Sequence, residues 1–176
     1  MLEPMQQLLK ALADRHLTLA VAEGDTGGVL LDGLTAVPGS SAVVLGGVVA
    51  YHDALKRTIL GVAPELLQRC GSVSAEVADA MARGIRQLTG ADVGVATTGI
   101  AGPGGATASK PVGLAFVAAA SADLSLVREH QWQGDRHTNR RASAHAAAQL
   151  VLELINSTPS NTCATLDVES GADSCW

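Results

Sequence analysis

A glycine-dense segment, Thr97-Thr98-Gly99-Ile100-Ala101-Gly102-Pro103-Gly104-Gly105, constrains this chain more than any other stretch. It follows an apolar run over 91–96 and precedes a second one over 112–119. Glycine adopts backbone angles closed to other residues and lets the main chain come close to a ligand. A loop of this kind between two buried strands can turn its N–H groups toward an anion or a carbonyl oxygen. An ordinary glycine-rich connection between strands fits the same pattern. Two familiar nucleotide loops are excluded by spacing. No lysine stands where G-x-x-x-x-G-K-[ST] requires one, and Gly99-x-x-Gly102-x-Gly104 is not G-x-G-x-x-G and runs toward a strand rather than a helix.

Around this loop, short apolar runs alternate with helical patterns, which favours an α/β fold. Met5, Leu8, Leu9 and Leu12 mark one face of a first helix, and 17–22 reads as a strand. Thr26-Gly27-Gly28 leads into a helix carrying Val29, Leu30 and Leu34. Residues 42–50 read as a long buried strand, with Asp53 as N-cap of a short helix through Leu60. Ser74 caps a clearer helix whose Val77, Met81, Ile85 and Leu88 share a face, stopped by Gly90. Strands flank the glycine loop, 124–132 reads as a half-exposed strand, and Asp135 opens a last helix.

Composition narrows the function classes. The 176 residues fit one domain, and 47% hydrophobic with 16% charged residues describes a globular chain. Only 2% are aromatic and the net charge is -5, which argues against nucleic-acid binding. No apolar run approaches the ~20 residues of a membrane span. The start, Met1-Leu2-Glu3-Pro4, lacks a secretory pattern, and Cys70, Cys163 and Cys175 are scattered, so a cytoplasmic setting is expected. The five histidines show no metal-ligand spacing, and neither a metal nor another cofactor is expected. Residues 1–156 are expected to form the domain. Residues 157–176, polar and without periodicity, read as a disordered tail.

A second cluster comprises Ser40, Ser41, Tyr51 and Lys56. A serine needs a neighbouring base to become a nucleophile. Lysine serves when burial disfavours its ammonium, and tyrosine can relay a proton. The same residues fit a turn, a strand end and a solvated helix lysine.

Seven segments occur together in order: Ala22-Glu23-Gly24-Asp25-Thr26-Gly27-Gly28, Val37-Pro38-Gly39-Ser40-Ser41, Gly47-Val48-Val49-Ala50-Tyr51, Gly71-Ser72-Val73-Ser74, the Thr98–Gly105 loop, Lys110-Pro111-Val112-Gly113 and Gly134-Asp135-Arg136 through Arg140. From Met5 to Ile155 the chain thereby resembles the CinA C-terminal domain family, whose characterised members are nicotinamide-nucleotide amidohydrolases. The resemblance implies a single-domain, three-layer α/β/α sandwich around a mixed sheet. It implies hydrolysis of the carboxamide of nicotinamide mononucleotide to nicotinate mononucleotide and ammonia. By similarity the nucleophile is the serine of Gly39-Ser40-Ser41, foremost Ser41, with Lys56 as base and Tyr51 assisting proton transfer. Ser40, Thr26, Gly27, Thr98, Gly99, Gly102 and Gly104 are the expected substrate contacts. Arg136 and Arg140, four apart on one helix face, are candidates for the 5′-phosphate, and a solvated basic turn is the alternative. Many relatives carry a further N-terminal domain, so this short chain looks like a stand-alone form. A homo-oligomer is expected.

One departure bears on activity. Relatives usually read Ala-Glu-Ser-Cys-Thr-Gly-Gly where this chain has Gly24-Asp25 in place of Ser-Cys. Because Ser40, Ser41, Tyr51 and Lys56 are all present, retained amidohydrolase activity is expected, and a nucleotide-binding or scaffold domain impaired in catalysis is the alternative. Asp25 could repel a phosphate, cap the next helix or bind a ribose hydroxyl.

Overall fold

In the computed structural model, which describes residues 2–157, both faces of one sheet are covered by helices. The strands are β1 (Leu19–Glu23), β2 (Val44–Val49), β3 (Val93–Gly99), β4 (Leu114–Ala120) and β5 (Ser125–Gln131). Their order is β2-β1-β3-β4-β5. β1 runs parallel to β2 and β3, whereas β4 is antiparallel to both of its neighbours. The sheet is therefore mixed, and the three-layer sandwich is the observed architecture.

Side chains alternate across a strand with period two, so each central strand feeds two cores. Val21, Val95, Val117 and Ala119 pack with helices α1 (Leu2–Asp14), α2 (Val29–Thr35) and α6 (Arg136–Ser157). Ala20, Ala22, Ala96, Phe116 and Ala118 pack instead against α5 (Ala75–Thr89) and residues of α4 (Pro64–Cys70). Burial on both faces explains why β1, β3 and β4 read as continuous apolar runs.

Several local expectations match the structure. Ser74 Oγ accepts from Val77 N–H at the start of α5, and Gly90 ends that helix with φ 71°. Asp135 Oδ1 accepts from Thr138 N–H ahead of α6. Others differ. β2 is an edge strand with half-buried and exposed residues alternating, not a buried one, because only β1 pairs with it. A 3-10 turn over Ser40–Ala42 occupies the expected start of that strand. The N-cap of α3 (Asp53–Thr58) is His52, whose Nδ1 accepts from Ala54 N–H, which leaves Asp53 free for another partner. Leu88 is exposed, because the buried face of α5 is carried by Val77, Ala78, Met81, Ala82 and Ile85. The expected tail lies outside the described residues except for Ser157, which ends α6.

Candidate functional site

β1, β2 and β3 run parallel, so the segments leaving their carboxyl ends gather at one edge of the sheet, where open α/β folds hold ligands. Gly24 and Asp25 follow β1; Tyr51, Asp53 and Lys56 follow β2; the glycine loop follows β3. They enclose a cavity of about 270 Å³, completed by Ser72 and Val73 ahead of α5 and by Arg136 at the start of α6. A second cavity of about 530 Å³, against Cys70, Lys110 and Glu129, contains none of the predicted site residues.

The glycine loop is pinned at its base, where Ile100 N–H donates to Leu114 O at 2.8 Å and Gly113 N–H to Ile100 O at 2.7 Å. Gly102 has φ 89°, and a Cβ there would lie 2.6 Å from Val112 Cγ1, so the turn admits no side chain. Lys110 Nζ donates to Cys70 O at 2.5 Å and ties the far side of the loop to the end of α4. Arg136 bridges the cavity mouth: Nη1 donates to Gly102 O at 2.9 Å and Nη2 to Tyr51 Oη at 3.0 Å. Tyr51 is 60% exposed and forms the rim rather than the floor.

Lys56 is 3% exposed, and its ammonium donates to Asp53 Oδ1 at 3.1 Å. Ser72 Oγ donates to the same carboxylate oxygen, and Thr98 Oγ1 donates to Ser72 O at 2.7 Å. Partial burial alone would raise the Asp53 carboxyl, but the Ser72 and Lys56 hydrogen bonds and the Lys56 charge outweigh it and hold it below its ordinary value. Asp53 and Ser72 were not anticipated. The Gly71-Ser72-Val73-Ser74 segment was visible as a motif, yet only Ser74 had a local signal, its helix cap.

Asp25 lines the same cavity and is 7% exposed. Its Oδ1 is the only buried side-chain oxygen or nitrogen among the described residues without a hydrogen-bond partner. Burial pushes the Asp25 carboxyl up, the Ser143 and Thr97 hydroxyls offset part of that, and the Glu23 charge adds to it. Glu23 itself is fully buried and accepts from the N–H groups of Gly28, Leu30 and Leu31 at 2.8, 3.0 and 2.9 Å. It serves the start of α2, whose N-cap Gly28 has no side chain to do so.

The predicted residues divide into three groups. Tyr51, Lys56, Thr98, Gly99, Gly102, Gly104 and Arg136 all line the cavity. Thr26, Gly27 and Arg140 meet one another beside it: Arg140 Nε and Nη2 both donate to Thr26 O, at 3.0 and 2.6 Å, and Thr26 Oγ1 shares a 2.8 Å bond with Thr97 Oγ1. Arg140 thus holds the turn after β1 and is not a cavity cation. Ser40 and Ser41 are elsewhere. They precede β2, whereas Tyr51 and Lys56 follow it, so a strand of six residues, roughly 20 Å, separates them. Nucleophile and base need contact at about 3 Å, and within one chain Ser41 does not approach Lys56. Gly24 does line the cavity with Lys56, and a Cβ on it would lie 2.8 Å from Thr97 O.

These features define an α/β sandwich with a cavity at the carboxyl ends of its parallel strands. The family described as the CinA C-terminal domain matches residues 2–155, and the chain belongs to that family. It is 45% identical over 150 residues to a CinA-like protein of Desulfotalea psychrophila, covering 85% of this chain and 36% of that one. It is 56% identical over 110 residues to a CinA-like protein of Synechococcus sp. CC9311, covering 62% of this chain and 26% of the relative. The chain thus spans about a third or less of the length of these relatives. The crystal structure of the competence/damage inducible protein CihA from Agrobacterium tumefaciens superposes with TM-score 0.85 at 37% identity, over 87% of this chain and 94% of that one. A CinA superfamily protein from Klebsiella pneumoniae gives TM-score 0.85 at 29% identity, over 89% and 98% of the two chains. No helix among the described residues is long and apolar enough to cross a membrane.

Proposed function

We propose that this domain binds a pyridine nucleotide of the nicotinamide mononucleotide class and lacks the serine–lysine route to amide cleavage. One observation carries the reading. The position in the cavity where relatives usually read serine is Gly24, while Ser41 lies at the opposite end of β2 from Lys56. The binding half of the proposed apparatus is supported by the lining of the cavity. Arg136 and the backbone of Gly102–Gly105 offer a seat for an anionic phosphate, and charge-assisted bonds of that kind are the strong ones.

The catalytic half is not. Amide cleavage to nicotinate mononucleotide and ammonia needs an activated hydroxyl at the carbonyl carbon. Two aliphatic hydroxyls line the cavity, and both are engaged: Thr98 donates to a carbonyl oxygen and Ser72 to Asp53. Asp53 is held below the ordinary carboxylate range, so it has little tendency to accept the Ser72 proton. Lys56 is committed to the same carboxylate.

Titration calorimetry with nicotinamide mononucleotide, run beside an ammonia-release assay, tests both halves. The expected result is saturable binding, weakened about tenfold or more by Arg136→Ala, with ammonia release at the buffer rate. The double variant Gly24→Ser, Asp25→Cys is expected to gain turnover if β1 and β3 yield at Thr97. Ammonia release by the native protein that disappears in Ser72→Ala would assign the nucleophile to Ser72 and overturn the proposal.

A further inference from the structure

We infer that Asp25 is the specificity-determining residue of the cavity, selecting a carboxamide over the corresponding carboxylate. The inference rests on the reading of the cavity as a pyridine-nucleotide seat and deepens it. Asp25 lines the cavity, is 7% exposed and leaves one oxygen without a partner. A buried polar atom of this kind is costly unless something satisfies it, and native proteins leave few. Its surroundings are already fixed. The Ser143 hydroxyl accepts from Trp132 Nε1 at 3.0 Å, Thr97 shares its bond with Thr26, and the Gly99 backbone comes so close that a Cβ there would lie 2.9 Å from Asp25 Oδ2. Oδ1 nevertheless has no hydrogen-bond partner within the protein, and the cavity that Asp25 lines is where a ligand can supply one.

The chemistry of that partner follows from the carboxyl. The terminal torsion of an aspartate is broad, so either oxygen can be turned to the cavity. A carboxyl offers an acceptor oxygen in either protonation state and, when protonated, a donor beside it. A carboxamide N–H donates to that oxygen in both states, and its C=O accepts a second bond from the protonated one. A carboxylate ligand has no donor, so it makes at most one bond to the neutral form and meets like charge in the ionised one. The opposite end of the cavity carries Arg136 and the glycine loop, which suits the ligand's phosphate. Asp25 and Arg136 then read the two ends of one molecule.

Calorimetry near neutral pH compares nicotinamide mononucleotide with nicotinate mononucleotide on the native protein, Asp25→Asn and Asp25→Ser. The native protein is expected to favour the amide by about tenfold or more. Asp25→Asn, which keeps the shape but presents an N–H₂ donor to a carboxylate, should reduce the ratio below about threefold by gaining affinity for the acid. Asp25→Ser should weaken the amide and abolish the ratio. Equal affinity of the native protein for the two ligands, or a ratio that persists in both variants, overturns the inference. If neither nucleotide binds, the nucleotide reading falls, and Asp25 is then decided by benzamide and benzoate titrated under NMR. An Asp25-dependent preference for benzamide sustains the inference, and equal or absent binding of the pair overturns it.

Discussion

Because burial raises the Asp25 carboxyl above its ordinary value of 3.8, the native state keeps a proton that the unfolded chain gives up. Between that value and the raised native one, the native state binds more protons, so stability falls as pH rises through the window. Below 3.8 both states are protonated and the effect is absent. Asp25→Asn has no proton to lose. Its stability relative to the native protein should therefore increase from acid toward neutral pH and then level off, read as the difference in urea midpoints across a pH series. A difference that stays flat, or runs the other way, would show that Asp25 ionises freely in the fold. The sequence marked Gly24-Asp25 as a departure from the family pattern but could not say which way Asp25 faces. The answer depends on Ser143 of α6, 118 positions along the chain.

At the scale of the elements, α5 was legible because its signals are local. A serine cap, a face at helical spacing and a terminal glycine all lie within 74–90. β2 was misread because burial of a strand depends on how many neighbours it has, and a run such as Val48-Val49-Ala50 looks the same at an edge. How closely α5 approaches the sheet was also invisible. A Cβ on Gly94 would fall 2.1 Å from Ala82 O and 2.9 Å from Arg86 Cβ, so the helix backbone rides directly on β3. Gly94→Ala should cost about 1–3 kcal/mol through overpacking, seen as a lower urea midpoint with an unchanged slope. An unaltered midpoint would mean that α5 can lift from the sheet freely.

Across the whole molecule, the cavity is assembled from the exits of three parallel strands and the entrances of two helices, α5 and α6. Tyr51, Lys56 and the glycine loop could be grouped from sequence because each follows a strand that reads clearly. Ser41 was grouped with them by order of motifs, and order does not reveal which end of a strand a residue occupies. Arg136 spans Gly102 and Tyr51, and α6 also packs on α1, where Arg15 Nη1 donates to Ile155 O at 2.6 Å. A chain ending at residue 135 should therefore show neither a cooperative thermal transition by circular dichroism nor nucleotide binding. A cooperative transition in that fragment would make α6 an accessory rather than part of the fold.

The pairing of the first helix with the last also sets a timetable for biosynthesis. α1 leaves the ribosome before α6, yet much of its apolar face is covered only by that helix, made more than a hundred residues later. At roughly 5–20 residues per second, that interval lasts several seconds. For that time Met5, Leu8 and Leu12 are open to whatever chaperone reaches the nascent chain before α6 does.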